Sequence, residues 1–124
     1  MELKVVEKSD RCTHVQLIGK MNAPGAMEID RLFTELVAER LRPAIVDLSE
    51  VPFLSSLGVR TLLYSIRALH RVQARMVLVN PQPDVVKVLE TAGLGSVVPR
   101  VKTVEEARTL LRPDGDPNPK QVPG

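Results

Sequence analysis

The stretch "IVDLSEVPFLSSLGVRTLL" at residues 45–63 is the strongest indication of fold class in this sequence. It runs from an apolar segment through a short polar turn to two adjacent serines, and then into an amphipathic helix. The apolar segment at 44–48 shows no alternation with polar residues, which is typical of a strand covered on both faces. The stretch therefore predicts a strand, a turn and a helix of an α/β protein.

The rest of the chain continues this alternation of strands and helices. We predict an antiparallel hairpin at 3–8 and 13–19, strands at 44–48, 75–80 and 96–101, and helices at 22–41, 55–74, 83–93 and 103–111. This order predicts one α/β domain over residues 1–111, with a mixed, mostly parallel sheet of four to five strands and about four helices. Residues 112–124 hold four Pro and two Gly, and are predicted to be a disordered tail.

Helical spacing supports the first helix and predicts the buried face of the second. In the first helix Met27, Leu32, Leu36 and Leu41, with Ile29, Phe33, Val37 and Arg40 nearby, recur at this spacing. The predicted core positions of the second helix are Val59, Leu62, Leu63, Ile66, Leu69 and Val72. The opposite stripe of the second helix, predicted to face solvent, holds Ser56, Arg60, Tyr64, Arg67 and Arg71. A serine at the start of this helix is thus followed one turn later by an arginine.

Composition argues against several functional classes. Aromatic residues make up 2% of the chain, Trp is absent and the net charge is +2, so neither base stacking nor a polybasic nucleic-acid surface is indicated. Cys12 is the single cysteine, no Cys/His spacing suits a metal, and we predict no cofactor. No apolar run approaches about 18 residues, so we expect no membrane insertion, and a reducing cytoplasm is the simplest compartment.

The sequence does not predict an enzyme. A serine nucleophile needs a neighbouring base, and the two histidines are His14 and His70. His70 is about 14 residues from Ser56 on the same helix, or roughly 20 Å along its axis. His14 is predicted to be a surface histidine on an edge strand. The nucleophile-elbow, dinucleotide-binding and P-loop patterns are absent around these residues.

Asp47 ends the buried strand at 44–48, and two interpretations stay open for it. Acids at the carboxyl ends of parallel strands often lie in ligand crevices. An Asp before a turn also commonly accepts hydrogen bonds from backbone N–H groups of that turn.

The two serines are predicted to differ in role. Ser55 suits the N-cap of the helix, where its side chain accepts a backbone hydrogen bond. Ser56 then lies in the first turn with a free hydroxyl, where the helix dipole and Arg60 would tolerate a phosphate. The alternative is that both serines serve only the helix start and the arginines form a solvated face.

Three stretches, "IVDLSEVPFLSSLGVRTLL", "MVLVNPQPDVVKVLETAGL" and "TVEEARTLL", resemble the STAS domain of bacterial anti-sigma factor antagonists. The early "LIGKMNAPGAMEIDRLF" is similar to the opening of that family's first helix. The resemblance extends over residues 3–111 and implies a STAS-like fold.

The resemblance also implies a phosphorylation-controlled partner switch. The serine aligned with Ser56 is the family's phosphoacceptor, while Ser55 stands where the family often has Asp and remains the alternative acceptor. The implied partners are an anti-sigma factor that is also a GHKL-type serine kinase, and a PP2C-type serine phosphatase. Partner binding is expected at Asn22, Ser55, Ser56, Leu57, Gly58, Arg60 and Tyr64.

Two rival functions remain open from the sequence. One is a STAS subunit of a stressosome-like or transporter-associated complex. The other is a small-ligand or nucleotide-binding domain that uses a crevice near Asp47 and Asn22.

Overall fold

Five strands form one sheet in the computed structural model of the chain, which describes residues 1–112. The strands are β1 Glu2–Lys8, β2 Thr13–Ile18, β3 Ala44–Glu50, β4 Met76–Val79 and β5 Arg100–Val101. Their order in the sheet is their order in the chain, with β1 antiparallel to β2 and the other neighbours parallel. The predicted fold class is confirmed. The tail predicted at 112–124 lies, beyond Arg112, outside the described residues.

Four α-helices connect or follow these strands within residues 1–112. They are α1 Ala23–Phe33, α2 Ser56–Arg71, α3 Pro83–Thr91 and α4 Val104–Leu111, and α1 continues as a π-helical turn over Thr34–Ala38. The ends follow sequence signals: Thr103 and Glu106 form a capping box at the start of α4, and Gly93 takes φ +81° just after α3. Among the described helices, none combines the length and the apolar character needed to cross a bilayer.

The sheet separates a large core from a small one. Helices α1, α2 and α3 cover one face, where Val15, Val46 and Leu78 of the strands belong to the same buried aliphatic cluster. Helix α4 covers the other face through Ala107, over Ile45, Val77 and Val79. The site described below lies at the edge of the large core, where α1 and α2 begin.

The first helix is shorter than predicted, and its buried face is narrower than its apolar pattern. Met27, Leu32 and Leu41, which belong to that pattern, are 69%, 46% and 43% exposed. The buried positions are Ala26, Ile29, Phe33, Leu36 and Val37, which recur at three- and four-residue spacing and so form one face of the helix. The helix ends in a π-helical turn, in which the Glu39 amide donates to the Thr34 carbonyl five residues back at 3.0 Å.

Two predictions of exposure were wrong. His14 is 4% exposed rather than on the surface, because β2 lies between β1 and β3 and only β1 forms that edge of the sheet. Val72, predicted to be buried, is 47% exposed, because α2 ends at Arg71 and Val72 is its C-cap.

Candidate functional site

The loops that precede α1 and α2 are joined to each other by backbone hydrogen bonds. The Met21 amide donates to the Phe53 carbonyl at 2.9 Å, and the Ser55 amide donates to the Met21 carbonyl at 2.9 Å. Met21 itself is fully buried in the large core. These bonds fix the first turns of α1 and α2 side by side at one end of the sheet.

Ser55 and Ser56 have different roles, as predicted. Ser55 is the N-cap of α2, and its Oγ accepts a hydrogen bond from the Gly58 amide at 3.2 Å. Ser56 is the first residue of the helix and is exposed. Its hydroxyl makes no hydrogen bond with any other residue in 1–112. The capping function is therefore met by Ser55, and the Ser56 hydroxyl is available to a partner.

Gly58 allows the first turn of α2 to approach the core closely. It is buried, and a Cβ at this position would lie 2.7 Å from Leu54 Cδ1 and 2.9 Å from Met21 Cγ. Such distances are shorter than carbon atoms tolerate, so a larger residue would displace the turn that carries Ser56. Gly58 therefore contributes to the site by allowing close packing, and not through a side chain that a partner could contact.

Asn22 starts α1 as Ser55 starts α2. It is half-buried, and its Oδ1 accepts a hydrogen bond from the Gly25 amide at 2.8 Å. Gly25 is packed more tightly than Gly58, because a Cβ there would lie 2.3 Å from the Lys20 carbonyl oxygen. Both helix starts therefore combine a polar cap with a glycine that permits close contact.

Two hollows lie on either side of the start of α2. The α1–α2 groove has a volume of about 530 Å³ and is lined by residues that include Met27, Asp30, Leu57, Arg60 and Tyr64. The α2–α3 hollow has a volume of about 590 Å³ and is lined by residues that include Phe53, Ser55, Ser56, Val59, Lys87 and Val88. Ser56 therefore faces the second hollow, whereas Arg60 and Tyr64 face the first.

Large apolar side chains are exposed around both hollows. Met27 is 69% exposed, Phe53 is 49% exposed and Tyr64 is 63% exposed. Exposed apolar side chains grouped around a groove, with polar residues among them, are a common feature of protein-binding surfaces. This end of the molecule has the composition of a docking surface for another protein.

The family model of the STAS domain matches residues 4–107, which is most of the chain. The chain belongs to the STAS domain family. A curated relative is BtrV of Bordetella bronchiseptica, named as a candidate anti-sigma factor antagonist. It is 28% identical over 107 residues, which cover 86% of this chain and 92% of BtrV.

Solved structures of anti-sigma factor antagonists share the fold of this STAS domain. SpoIIAA in its unphosphorylated form matches with a TM-score of 0.75 at 25% identity, over 90% of this chain and 96% of SpoIIAA. The Bacillus cell fate determinant SpoIIAA in its phosphorylated form matches with a TM-score of 0.69 at 24% identity, over 90% and 100% of the two chains.

Lys87, Phe53 and Met27 of this STAS domain belong to the surface but were not predicted from the sequence. Lys87 is on α3, and no local pattern indicates that α3 places it beside the first turn of α2. Phe53 is two residues before Ser55, so its position in the 45–63 stretch was a signal that could have been used. Met27 was recognised only as part of the apolar pattern of the first helix.

Asp47 has the turn-stabilising role that was one of its two interpretations. Its Oδ1 accepts hydrogen bonds from the Ser49 amide at 2.9 Å and the Ser49 hydroxyl at 2.7 Å. Asp47 pairs in register with Val79, on the sheet face that α4 covers, whereas α1 with its cap Asn22 packs on the opposite face. The two residues therefore do not line one crevice.

The resolved pKa shifts lie away from Ser56, where β1 and β2 meet α4. Burial lowers the pKa of His14, with a further lowering from the Arg108 guanidinium. A hydrogen bond from Ser9 and the proximity of Arg108 lower the pKa of Glu7. Burial raises the pKa of the Cys12 thiol. Arg108 of α4 contributes to all three pKa shifts.

Proposed function

We propose that this STAS domain is an anti-sigma factor antagonist that changes partners when Ser56 is phosphorylated. The observation that carries the proposal is the division of roles between the adjacent serines. Ser55 caps α2, which leaves the Ser56 hydroxyl exposed and without a partner in residues 1–112. The likeness to SpoIIAA, which has been solved in an unphosphorylated and a phosphorylated form, supports control by phosphorylation.

In the proposed switch, the unmodified domain binds an anti-sigma factor that is also a GHKL-type serine kinase. This binding frees the sigma factor, and the kinase then transfers the γ-phosphoryl group of ATP to Ser56. The phosphorylated domain dissociates, and a PP2C-type phosphatase restores the hydroxyl. The domain contributes an acceptor and a surface to this cycle, while the partners supply the chemistry.

The proposed docking surface consists of the α1–α2 groove and the α2–α3 hollow, with exposed Met27, Phe53 and Tyr64 around them. A protein that covers this surface removes water from the start of α2. A phosphate on Ser56 adds about −1.5 to −2 charges. Burying an imperfectly paired anion costs several kcal/mol, and about 3 kcal/mol is already more than a hundredfold in affinity. Phosphorylation is therefore expected to release the partner without unfolding the domain.

The first test is the identity of the acceptor. The purified domain is incubated with ATP and, one at a time, the GHKL-type anti-sigma factor kinases of the same genome, and phosphopeptides are located by mass spectrometry. We expect Ser56→Ala to abolish the modification and Ser55→Ala to retain it. Modification that survives Ser56→Ala but is lost in Ser55→Ala would assign the acceptor to Ser55.

The second test is binding to the kinase that modifies Ser56. Ser56→Ala is expected to bind it and not to be released by ATP, whereas Ser56→Asp is expected to bind at least tenfold more weakly. Phe53→Ser and Tyr64→Ser, which replace large apolar side chains that are 49% and 63% exposed, are expected to weaken binding. Val97→Ser is the control, because Val97 is 50% exposed but lies outside both hollows. Equal binding by all the variants would refute the proposed surface.

A further inference from the structure

Ser56 and Arg60 are one turn apart on α2 but line different hollows. Ser56 lines the α2–α3 hollow, and Arg60 lines the α1–α2 groove. Four residues advance a helix by about 400°, which turns Arg60 roughly 40° from Ser56 around the axis. The side chain that sequence spacing alone pairs with a phosphate on Ser56 is therefore directed to the neighbouring groove, beside Asp30.

Lys87 lines the α2–α3 hollow together with Ser56. It is exposed, and of the residues in 1–112 that line this hollow it is the one that carries a charge. It makes no ion pair within the described part of the chain, whereas Glu90 of the same helix pairs with Arg100 at 3.5 Å. Its ammonium group is thus available to an anion that appears in the hollow.

We infer that Lys87, rather than Arg60, is the side chain that pairs with a phosphate on Ser56. Apolar residues, among them Phe53, Val59 and Val88, form much of the wall of the hollow. Apolar atoms beside the two groups lower the local dielectric constant, which strengthens the attraction between a phosphate and an ammonium. Arg60 lines the α1–α2 groove instead and remains available to the partner. The inference rests on the proposed function only in taking Ser56 as the modified residue.

The experiment measures the second pKa of the phosphate itself. Phosphoserine is incorporated at position 56 by genetic code expansion, so no kinase is required, and the phosphate is titrated by ³¹P NMR at low salt. A nearby cation favours the dianion and lowers this pKa. We expect Lys87→Gln to raise it by about half a pH unit, and Arg60→Gln to change it much less. Lys87→Arg, which keeps the charge, should restore most of the lowering.

Equal shifts in Lys87→Gln and Arg60→Gln, a larger shift in Arg60→Gln, or no shift in either would overturn the inference. Both residues are exposed, and amide spectra of the unmodified variants verify that each remains folded. The result is separable from the proposed function. Failure of every kinase to modify Ser56 would refute the switch and leave the titration unaffected, whereas an unchanged titration in Lys87→Gln would leave the switch standing.

Discussion

Thr61 of α2 donates a hydrogen bond from its Oγ1 to Oδ1 of Asp30 on α1, at 3.0 Å. Thr61 is 5% exposed and also lies 3.2 Å from the Leu57 carbonyl oxygen of its own helix. Both Asp30 and Thr61 line the α1–α2 groove. The bond therefore links the two helices at the floor of the proposed docking surface and fixes their spacing.

Thr61→Val is expected to lower the free energy of unfolding by about 1 kcal/mol, because it removes a partly buried hydrogen bond while preserving side-chain shape. Urea denaturation measures this change. Thr109→Val is the matched control, since the Thr109 hydroxyl bonds a carbonyl of its own exposed helix, that of Glu105. A loss in the control as large as that in Thr61→Val would show that the bond between helices contributes nothing of its own.

Gly25→Ala is expected to destabilise the domain more than Gly58→Ala, although alanine favours both helices. The new Cβ at position 25 meets a backbone carbonyl, which cannot move freely, whereas at position 58 it meets side chains of Leu54 and Met21. We expect losses of about 1–3 kcal/mol at position 25 and smaller ones at position 58. Gly95→Ala serves as the control, because its nearest atom would be 3.5 Å away. The reverse order of the two losses would contradict the packing argument.

Ser55→Ala is expected to cost about 1 kcal/mol of stability, since it removes the N-cap of α2. Ser56→Ala is expected to change stability by less than about 0.5 kcal/mol, because its hydroxyl is exposed and makes no hydrogen bond within residues 1–112. Thermal and urea unfolding of the unmodified proteins provide the comparison. Similar losses in the two variants would mean that Ser56 also stabilises the helix.

Stability is expected to fall as the pH decreases through about 6.5, because of His14. Its pKa in the folded protein is lowered from 6.5 by burial and by Arg108, against smaller opposing effects of Asp47 and Glu7. The unfolded chain therefore binds more protons than the folded one below this pH, and folding loses free energy there. The loss is complete once the pH is below the folded pKa, and is absent above about 6.5.

Urea unfolding between pH 5 and pH 8 measures this dependence. His14→Leu is expected to remove this pH dependence. It also removes two buried ring nitrogens that have no hydrogen-bond partner within residues 1–112. Glu7 acts in a separate window: its pKa is lowered from 4.5, so its contribution is lost only in more acidic solution. A pH dependence between 5 and 7 that persists unchanged in His14→Leu would contradict the assignment.

The fold was predictable because its signals are local. The apolar run at 44–48, the capping box at Thr103 and the polar start at Ser55 each act within a few residues of themselves. The exposures of Met27 and His14 were not predictable in the same way. Met27 is apolar but lies off the face that Ala26, Ile29 and Phe33 form, and His14 depends on which strand of the hairpin joins β3.

The different positions of Ser55 and Ser56 at the start of α2 could be predicted from the sequence, whereas their surroundings could not. The cap at Ser55 and the free hydroxyl of Ser56 follow from helix-start chemistry. Lys87 becomes a neighbour of Ser56 only when α3 packs beside α2, which is a tertiary relationship. Arg60 is the opposite case: its spacing in the sequence suggests that it is a neighbour of Ser56, but it lines the α1–α2 groove.

The coincidence of strand order with chain order has a consequence for synthesis on the ribosome. Each new strand can join the one made just before it as soon as the connection between them is complete, and for β3, β4 and β5 that connection contains a helix. Helix α4 is made after all five strands, and until it emerges Ile45, Val77 and Val79 have no cover. A nascent chain that stalls before α4 would present this aliphatic face to chaperones or to other unfinished chains.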